Sequence, residues 1–214
     1  SPIDSNSNLI TDTGLIGGNL LEQLQPIVSR FQNWEVMPCF YTAGIVQLCK
    51  SLSIEPPPGA RFASQGGLDL VNRKIQFRRL ASSIDLPLAD GCIVYDTKSL
   101  ALGIKNYLSQ TGSVIIKKDY GYGGLGNIGV TLKNIGNLSG VRETFVLDND
   151  VDEVAQKIAA ILGETWSEGL VIESYYPSKH QLYFEYYIGS SAHPTFLNSG
   201  SIRVSENPQT KQLL

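Results

Sequence analysis

The spacing of apolar residues predicts helices through most of the first half of the chain. Apolar positions recur every three or four residues, as in amphipathic helices, in four segments: 18–31, 42–52, 68–84 and 99–109. Pro26 weakens the first segment, because a proline inside a helix removes one backbone hydrogen bond. Shorter apolar runs at 34–40 and 92–95 predict buried strands between these helices.

The second half is dominated by strand patterns. Apolar and β-branched runs predict strands at 113–117, 128–132, 170–173, 182–188 and 195–204. One helix is predicted over 151–162, where Asp152 and Glu153 occupy the favourable first turn. Helices before residue 110 and strands after residue 165 predict an α+β protein, with a boundary between two lobes near residues 90–100.

Composition excludes several classes of protein. A chain of 214 residues, 42% of them hydrophobic, can bury a core as one domain or two small lobes. The net charge of −3 argues against a nucleic-acid partner, and no apolar run approaches the roughly 18 residues of a membrane helix. The cysteines, Cys39, Cys49 and Cys92, are odd in number and far apart, which predicts reduced thiols and a cytoplasmic protein.

The segment 114–127, VIIKKDYGYGGLGN, carries the clearest candidate chemistry. Four glycines follow a predicted strand that bears Lys117: Gly121, Gly123, Gly124 and Gly126. Glycine lets backbone N–H groups approach a ligand, and the lysine supplies a compact positive charge to the same anion. The segment therefore predicts a polyphosphate-binding loop. The alternative is a hairpin turn with a surface pair, Lys117 and Lys118.

Two dinucleotide-binding patterns compete with that interpretation. Gly124, Gly126 and Gly129 spell G-x-G-x-x-G, but this motif needs a helix to follow, and GVTLKN predicts a strand. Residues 9–24 and the YYPSK of 175–179 resemble an extended short-chain dehydrogenase that would use NAD(P). Its tyrosine–lysine pair belongs on a helix, and Pro177 argues against one.

A glycine-rich loop between two strands, with a lysine on the first, resembles the ATP-grasp superfamily. VNRKIQFRRLASSIDLPLADGCIV at 71–94 is similar to the segment before that family's lid, and GLVIESYYPSKHQLYFEYYI at 169–188 is similar to its hinge. The resemblance covers about 69–204. It implies part of a leading α/β domain in 1–65, a connecting helix and strand in 66–95, the lid in 96–172, and the start of a C-terminal antiparallel lobe in 173–214.

The resemblance also implies a nucleotide site. Lys74 and Lys117 fall at the two nucleotide-binding lysines, and Lys117 would contact the α/β phosphates beneath the glycine loop. Lys74 has a simpler alternative as part of a solvated basic helix face. Glu173 would accept the adenine amino group, and the backbone near Tyr175 and Tyr176 would meet the ring edge.

Gln181 stands where the family often has a ribose-binding acid, with His180 beside it. A glutamine still accepts a ribose hydrogen bond, but it brings no charge.

The implied reaction is the ATP-dependent joining of a carboxylate to an amine through an acyl phosphate, with ATP and Mg²⁺. A nucleotide-binding module without catalysis is the alternative. The chain opens with Ser1, and Met37 is its one methionine. We therefore expect a piece of a longer protein, whose metal ligands lie on strands past Leu214. The resemblance implies no particular acid or amine, because acceptor pockets come from variable loops.

Overall fold

The chain divides into two compact units. In the computed structural model the described residues are 11–17, 20–38, 41–56, 58–121, 124, 126–133, 138–148, 150–163, 168–177, 180–189 and 193–202. One unit comprises Ser1–Val71 with Ile188–Pro194, and the other comprises Asn72–Tyr187 with Thr195–Leu214.

In the described part of the first unit before residue 72, the regular elements are helices joined by irregular segments. Its helices are α1 (Asp12–Ile16), α2 (Leu20–Val28), α3 (Ala43–Ser51), α4 (Ala60–Ser64) and α5 (Gly67–Asn72), which ends at the boundary. Leu48, Cys49, Leu52 and Ile54 form its buried core. Asp12 of α1 accepts a hydrogen bond from the Gly44 amide at 3.0 Å, which fixes α1 against the start of α3.

The strand predicted over 34–40 is wrong for its described part, 34–38, which is irregular. The Trp34 indole donates to the Val28 carbonyl at 2.9 Å, and its ring packs edge-on against Phe31 with centroids 6.1 Å apart. Trp34 therefore contacts the end of α2, whereas Met37 is exposed, and the described part of the segment forms no buried strand. Residues 39 and 40 lie outside the described residues.

A mixed sheet is the centre of the second unit. Its strands are β1 (Gly91–Val94), β2 (Ser113–Lys118), β3 (Ile128–Thr131), β4 (Glu143–Val146) and β5 (Leu170–Ser174), in the order β1-β5-β2-β3-β4. The β3–β4 pair is parallel, and the other pairs are antiparallel. The register of β2 and β5 places Ile115 opposite Glu173 and Lys117 opposite Val171.

Helices α6 (Lys74–Ser83), α7 (Thr97–Thr111) and α8 (Val151–Leu162) belong to the same unit. Ile104 of α7 and Ile158 of α8 are fully buried in one apolar cluster with Ile116 and Ile172 of the central strands. This cluster fixes β2 and β5 side by side, and these are the strands that carry the candidate site.

A second, separate sheet is formed by β6 (Gln181–Ile188) and β7 (Pro194–Ile202). Most of its large apolar side chains are exposed, among them Phe184, Tyr186 and Phe196. The last two residues of the strand predicted over 195–204 lie outside the described residues.

The predicted α+β class is confirmed. Most predicted elements are present within a few residues of their expected ends, and α8 has the predicted bounds. The long helix predicted over 68–84 is instead two helices, because Arg73 has an extended backbone between α5 and α6. The sequence did not predict α1, α4 or β4. None of the helices in the described part of the chain is long and apolar enough to cross a membrane.

Candidate functional site

Glu173 on β5 is held between two cations in the second unit. Its Oε2 contacts Nζ of Lys117, and its Oε1 accepts a hydrogen bond from Nη1 of Arg78 at 2.9 Å. Lys117 lies two residues beyond Ile115, the strand partner of Glu173, so the two side chains share one face of the sheet. Their exposed fractions are 27% for Lys117 and 15% for Glu173. The predicted phosphate lysine and the predicted adenine acceptor are therefore neighbours.

Lys74 is the first residue of α6, and its side chain reaches the start of the glycine loop. Its Nζ donates to the Gly121 carbonyl at 2.8 Å. The first turn of α6 is attached to the end of β2 by Asp119, which accepts from the Lys74 amide with its carbonyl and from the Ile75 amide with Oδ1, both at 2.9 Å. Asp119 is 5% exposed. This buried contact explains why α6 begins at Lys74 and why its side chain reaches the loop.

The charges around Lys74 favour an anion. Burial lowers the pKa of the Lys74 amine below its ordinary value, the positive charge of Lys117 lowers the pKa further, and the Asp119 carboxylate opposes both effects. The two lysines are thus close enough to repel each other electrostatically. A bound polyphosphate would relieve that repulsion, since it places negative charge between the two ammonium groups.

The described glycines of the loop are conformationally constrained. Gly124 has a φ of +74°, and a Cβ there would lie 2.8 Å from the Gly140 carbonyl oxygen. The Asn127 side chain donates to the same carbonyl at 2.9 Å. Gly121 also has a positive φ, +144°, and Gly126 packs close to the Lys118 side chain. Gly123 lies outside the described residues.

The hinge residues reach the same turn as the glycine loop. The Tyr175 hydroxyl donates to the Ser139 carbonyl, and the Gln181 amide donates to the Ser139 hydroxyl, both at 3.3 Å. The Tyr176 hydroxyl instead donates to Asp90 at 3.4 Å. The structure therefore brings Tyr175 and Gln181 together at Ser139 and places Tyr176 against a different segment.

Sequence reasoning missed two residues of this site, Arg78 and Asp119. Arg78 belongs to the helix face that the alternative for Lys74 described as solvated, yet its side chain is 12% exposed and bonded to Glu173. One signal was available, because Arg78 follows Lys74 by four residues and residues so spaced share a helix face. Asp119 directly follows β2 and precedes the first glycine, a place that suits a capping acid.

The site fits a polyphosphate better than a metal ion. Two lysines supply positive charge, and the described glycines of the loop, Gly121, Gly124 and Gly126, have no Cβ to keep a ligand from the backbone. Within the described ranges no group of three or more His, Cys, Asp and Glu side chains is placed to hold a metal. Both acids of the site are engaged, because Glu173 contacts two cations and Asp119 accepts a hydrogen bond from the Ile75 amide. These residues do not fit Mg²⁺, and no chemical step is assigned to that ion here.

Solved structures similar to this chain include three synthetases and ligases. They are D-alanyl-alanine synthetase A from Vibrio cholerae (15% identity over 76% of this chain and 42% of that one, TM-score 0.47), an ADP complex of N5-carboxyaminoimidazole ribonucleotide synthetase (16%, 91% and 43%, 0.48), and D-alanine–D-alanine ligase from Helicobacter pylori (15%, 81% and 45%, 0.42).

The mixed sheet and the separate two-stranded sheet of this chain agree with the α+β class that the sequence predicts. The chain spans less than half of the length of these proteins. No protein-family model matches the sequence, and no curated protein matches it.

The geometry does not favour the two dinucleotide patterns. Gly129 of the G-x-G-x-x-G lies within β3, so no helix begins at this motif. Tyr175 of the Y-x-x-x-K lies in a segment, 175–177, that is not helical. Lys179 lies outside the described residues.

Proposed function

We propose that this chain is the ATP-binding portion of an ATP-grasp ligase that joins a carboxylate to an amine. One observation carries the proposal. Nζ of Lys74, on α6, donates at 2.8 Å to the carbonyl of Gly121, the first glycine of the loop that follows Lys117 on β2. Burial and, to a smaller extent, the positive charge of Lys117 lower the pKa of the Lys74 amine, in agreement with this placement.

A like-charge pair beside open backbone suits a ligand with several negative charges. We assign Lys117 to the α/β phosphates of ATP and Lys74 to the same polyphosphate. Gly121, Gly123, Gly124 and Gly126 would cover the phosphates with backbone N–H groups. The hydrogen bond from the Asn127 side chain to the Gly140 carbonyl supports this assignment, because it attaches the end of the loop to the neighbouring turn.

The remaining contacts are assigned to the nucleoside. Glu173 would accept the adenine amino group, with the backbone near Tyr175 and Tyr176 at the ring edge. Gln181 would hydrogen-bond the ribose in place of an acid. The shared attachment of Tyr175 and Gln181 to Ser139 supports a common ligand for these residues, since one turn orients both side chains.

The proposed reaction proceeds through an acyl phosphate, which the amine then attacks. The residues of this chain would contribute by positioning the reactants and neutralising charge. The glycine loop would keep water from the reactive acyl group. We further propose that ATP, a small carboxylate and an amine are the partners, and that the protein works in the cytoplasm, where its dispersed cysteines stay reduced.

Isothermal titration calorimetry with ATP tests the proposal. We expect ATP to bind the chain and Lys117→Met to weaken its affinity about tenfold or more, because a charge-assisted contact to phosphate is lost. Lys105→Met is the matched control, since Lys105 is exposed on α7 and is expected to leave the affinity unchanged. Equal affinities of wild type and Lys117→Met would show that the loop does not bind phosphate.

A second measurement separates ligase from binding module. ADP release is followed with mixtures of small carboxylates and amines. ADP formation that needs both an acid and an amine supports the ligase. ATP binding without ADP formation with any mixture favours the module without catalysis.

A further inference from the structure

The Arg78 guanidinium makes three hydrogen bonds within the protein, which a side chain on a solvated helix face does not need. Its Nη2 donates to the carbonyls of Ala89 and Gly91, at 2.9 and 2.8 Å, while Nη1 donates to Glu173 at 2.9 Å. One planar guanidinium thus joins α6, the entry to β1, and β5. A lysine has a single nitrogen and does not reproduce this fork.

The two cations at Glu173 differ in their surroundings. Arg78 is held by two backbone carbonyls and is 12% exposed, whereas Lys117 is 27% exposed and lies near Lys74 and the glycine loop. A polyphosphate bound at the loop would compete with Glu173 for Lys117. Arg78 has backbone partners of its own, so the same ligand would leave its contact with Glu173 in place.

We propose that Arg78 is a positioning residue for base recognition: it holds Glu173 Oε1 when Lys117 turns to phosphate, and so presents Oε2 to an amino group of the base. This inference rests on the proposed ATP site. A carboxylate oxygen accepts hydrogen bonds only, so it accepts from a 6-amino purine and repels the carbonyl of a 6-oxo purine. Arg78 thereby contributes to the choice of base without contacting it.

The test compares three purine triphosphates: ATP; purine riboside 5′-triphosphate, which lacks only the amino group; and inosine 5′-triphosphate, which has a carbonyl at position 6 and a proton on N1. Affinities are measured by calorimetry for wild type, Arg78→Gln and Arg78→Lys. In wild type we expect the loss of the amino group to weaken binding about tenfold or more, because a hydrogen bond to a charged acceptor is lost. Inosine triphosphate should bind more weakly still.

In Arg78→Gln we expect ATP and purine riboside triphosphate to differ by less than about threefold, because Glu173 is no longer held in position. Arg78→Lys should restore part of the discrimination, since it keeps the charge and loses the fork. Arg79→Gln is the control, because Arg79 donates to the Tyr95 hydroxyl and not to Glu173. It should discriminate as wild type does.

A merely structural role would lower all three affinities by one factor and leave their ratios unchanged, which would overturn the inference. If Arg78→Gln does not fold, Arg78→Lys decides: a ratio equal to that of wild type overturns it. Wild type that binds all three ligands equally also overturns it, while the ATP site survives. Wild type that binds none of them overturns the proposed function and this inference together.

Discussion

The Lys117 ammonium and the Glu173 carboxylate contact each other across neighbouring strands, although the proposed site gives each of them a different part of the same ligand. In the protein without ligand, this ion pair joins the lysine that we propose to bind phosphate to the carboxylate that we propose to bind the base. The pair must separate for Lys117 to reach phosphate, so it sets a cost on binding that depends on the charge of Glu173.

Glu173→Gln should therefore strengthen binding of a ligand that has phosphates and no base. We expect the affinity for inorganic triphosphate to rise about three- to tenfold, because Lys117 is no longer held by a carboxylate and one negative charge is gone. Calorimetry at fixed ionic strength measures the change, since salt screens such interactions. The affinity for ATP should rise less, because the base contact is weakened at the same time.

Lys117→Met in the same titration is the control, and it should lower the affinity for inorganic triphosphate about tenfold. A loss of triphosphate affinity in Glu173→Gln would contradict the competition between the carboxylate and phosphate.

The buried Asp119 carboxylate should contribute more to the free energy of unfolding than an exposed carboxylate such as that of Glu168 does. Asp119→Ala removes the acceptor of the Ile75 amide and leaves that buried donor without its partner. We expect the free energy of unfolding to fall by about 2 kcal/mol. Urea denaturation followed by circular dichroism measures the change.

Glu168→Ala is a suitable control, because Glu168 is exposed and pairs only with Arg73 among the contacts resolved for its side chain. Its loss should cost less than about 0.5 kcal/mol. Equal losses in the two variants would show that Asp119 is not the residue that fixes the start of α6.

The sequence predicted those helices and strands whose positions depend on their own residues and not on distant contacts. The bounds of α8 follow from its own apolar repeat and its acidic first turn, and the β-branched run of 113–117 pairs as a strand. The break at Arg73 was not predictable in this way, because the group that caps α6 is Asp119, which is 44 residues from Ile75.

The same reason limits prediction of the site. Lys117 and Glu173 were identifiable from the strands that carry them, but their contact depends on the pairing of β2 with β5. Arg78 is 95 residues from Glu173 in sequence, and its helical spacing alone is typical of a solvated basic face. The run at 34–40 was misassigned because its apolar residues suggested burial, whereas the side chains of Trp34 and Met37 are exposed.

Gly124 should be less tolerant of a side chain than Gly112, which has a similar positive φ. Gly124→Ala introduces both an unfavourable φ of +74° and a contact of 2.8 Å with the Gly140 carbonyl oxygen. We expect it to lower stability by about 2 kcal/mol and to weaken ATP binding, because the loop must move away from its turn. Differential scanning calorimetry with and without ATP measures both effects.

Gly112→Ala separates the two causes, because Gly112 has nearly the same φ, +75°, with open space around it. It should cost only about 1 kcal/mol and leave ATP affinity unchanged. If both variants lose the same stability and the same affinity, the packing of Gly124 against Gly140 has no role in the site.

ATP binding should take up protons at alkaline pH, and Lys74 should be the group that accepts them. Burial and Lys117 lower the pKa of Lys74 below its ordinary 10.5 in the free protein. Bound phosphate adds negative charge and raises that pKa again. Between the two pKa values the complex holds more protons than its separated components, so the affinity must fall as the pH rises through this window.

Calorimetry in two buffers of different ionisation enthalpy counts the protons taken up. Lys74→Arg keeps its charge throughout and should abolish most of the uptake. Uptake that is unchanged in Lys74→Arg would assign the titration to another group and remove Lys74 from the phosphate site.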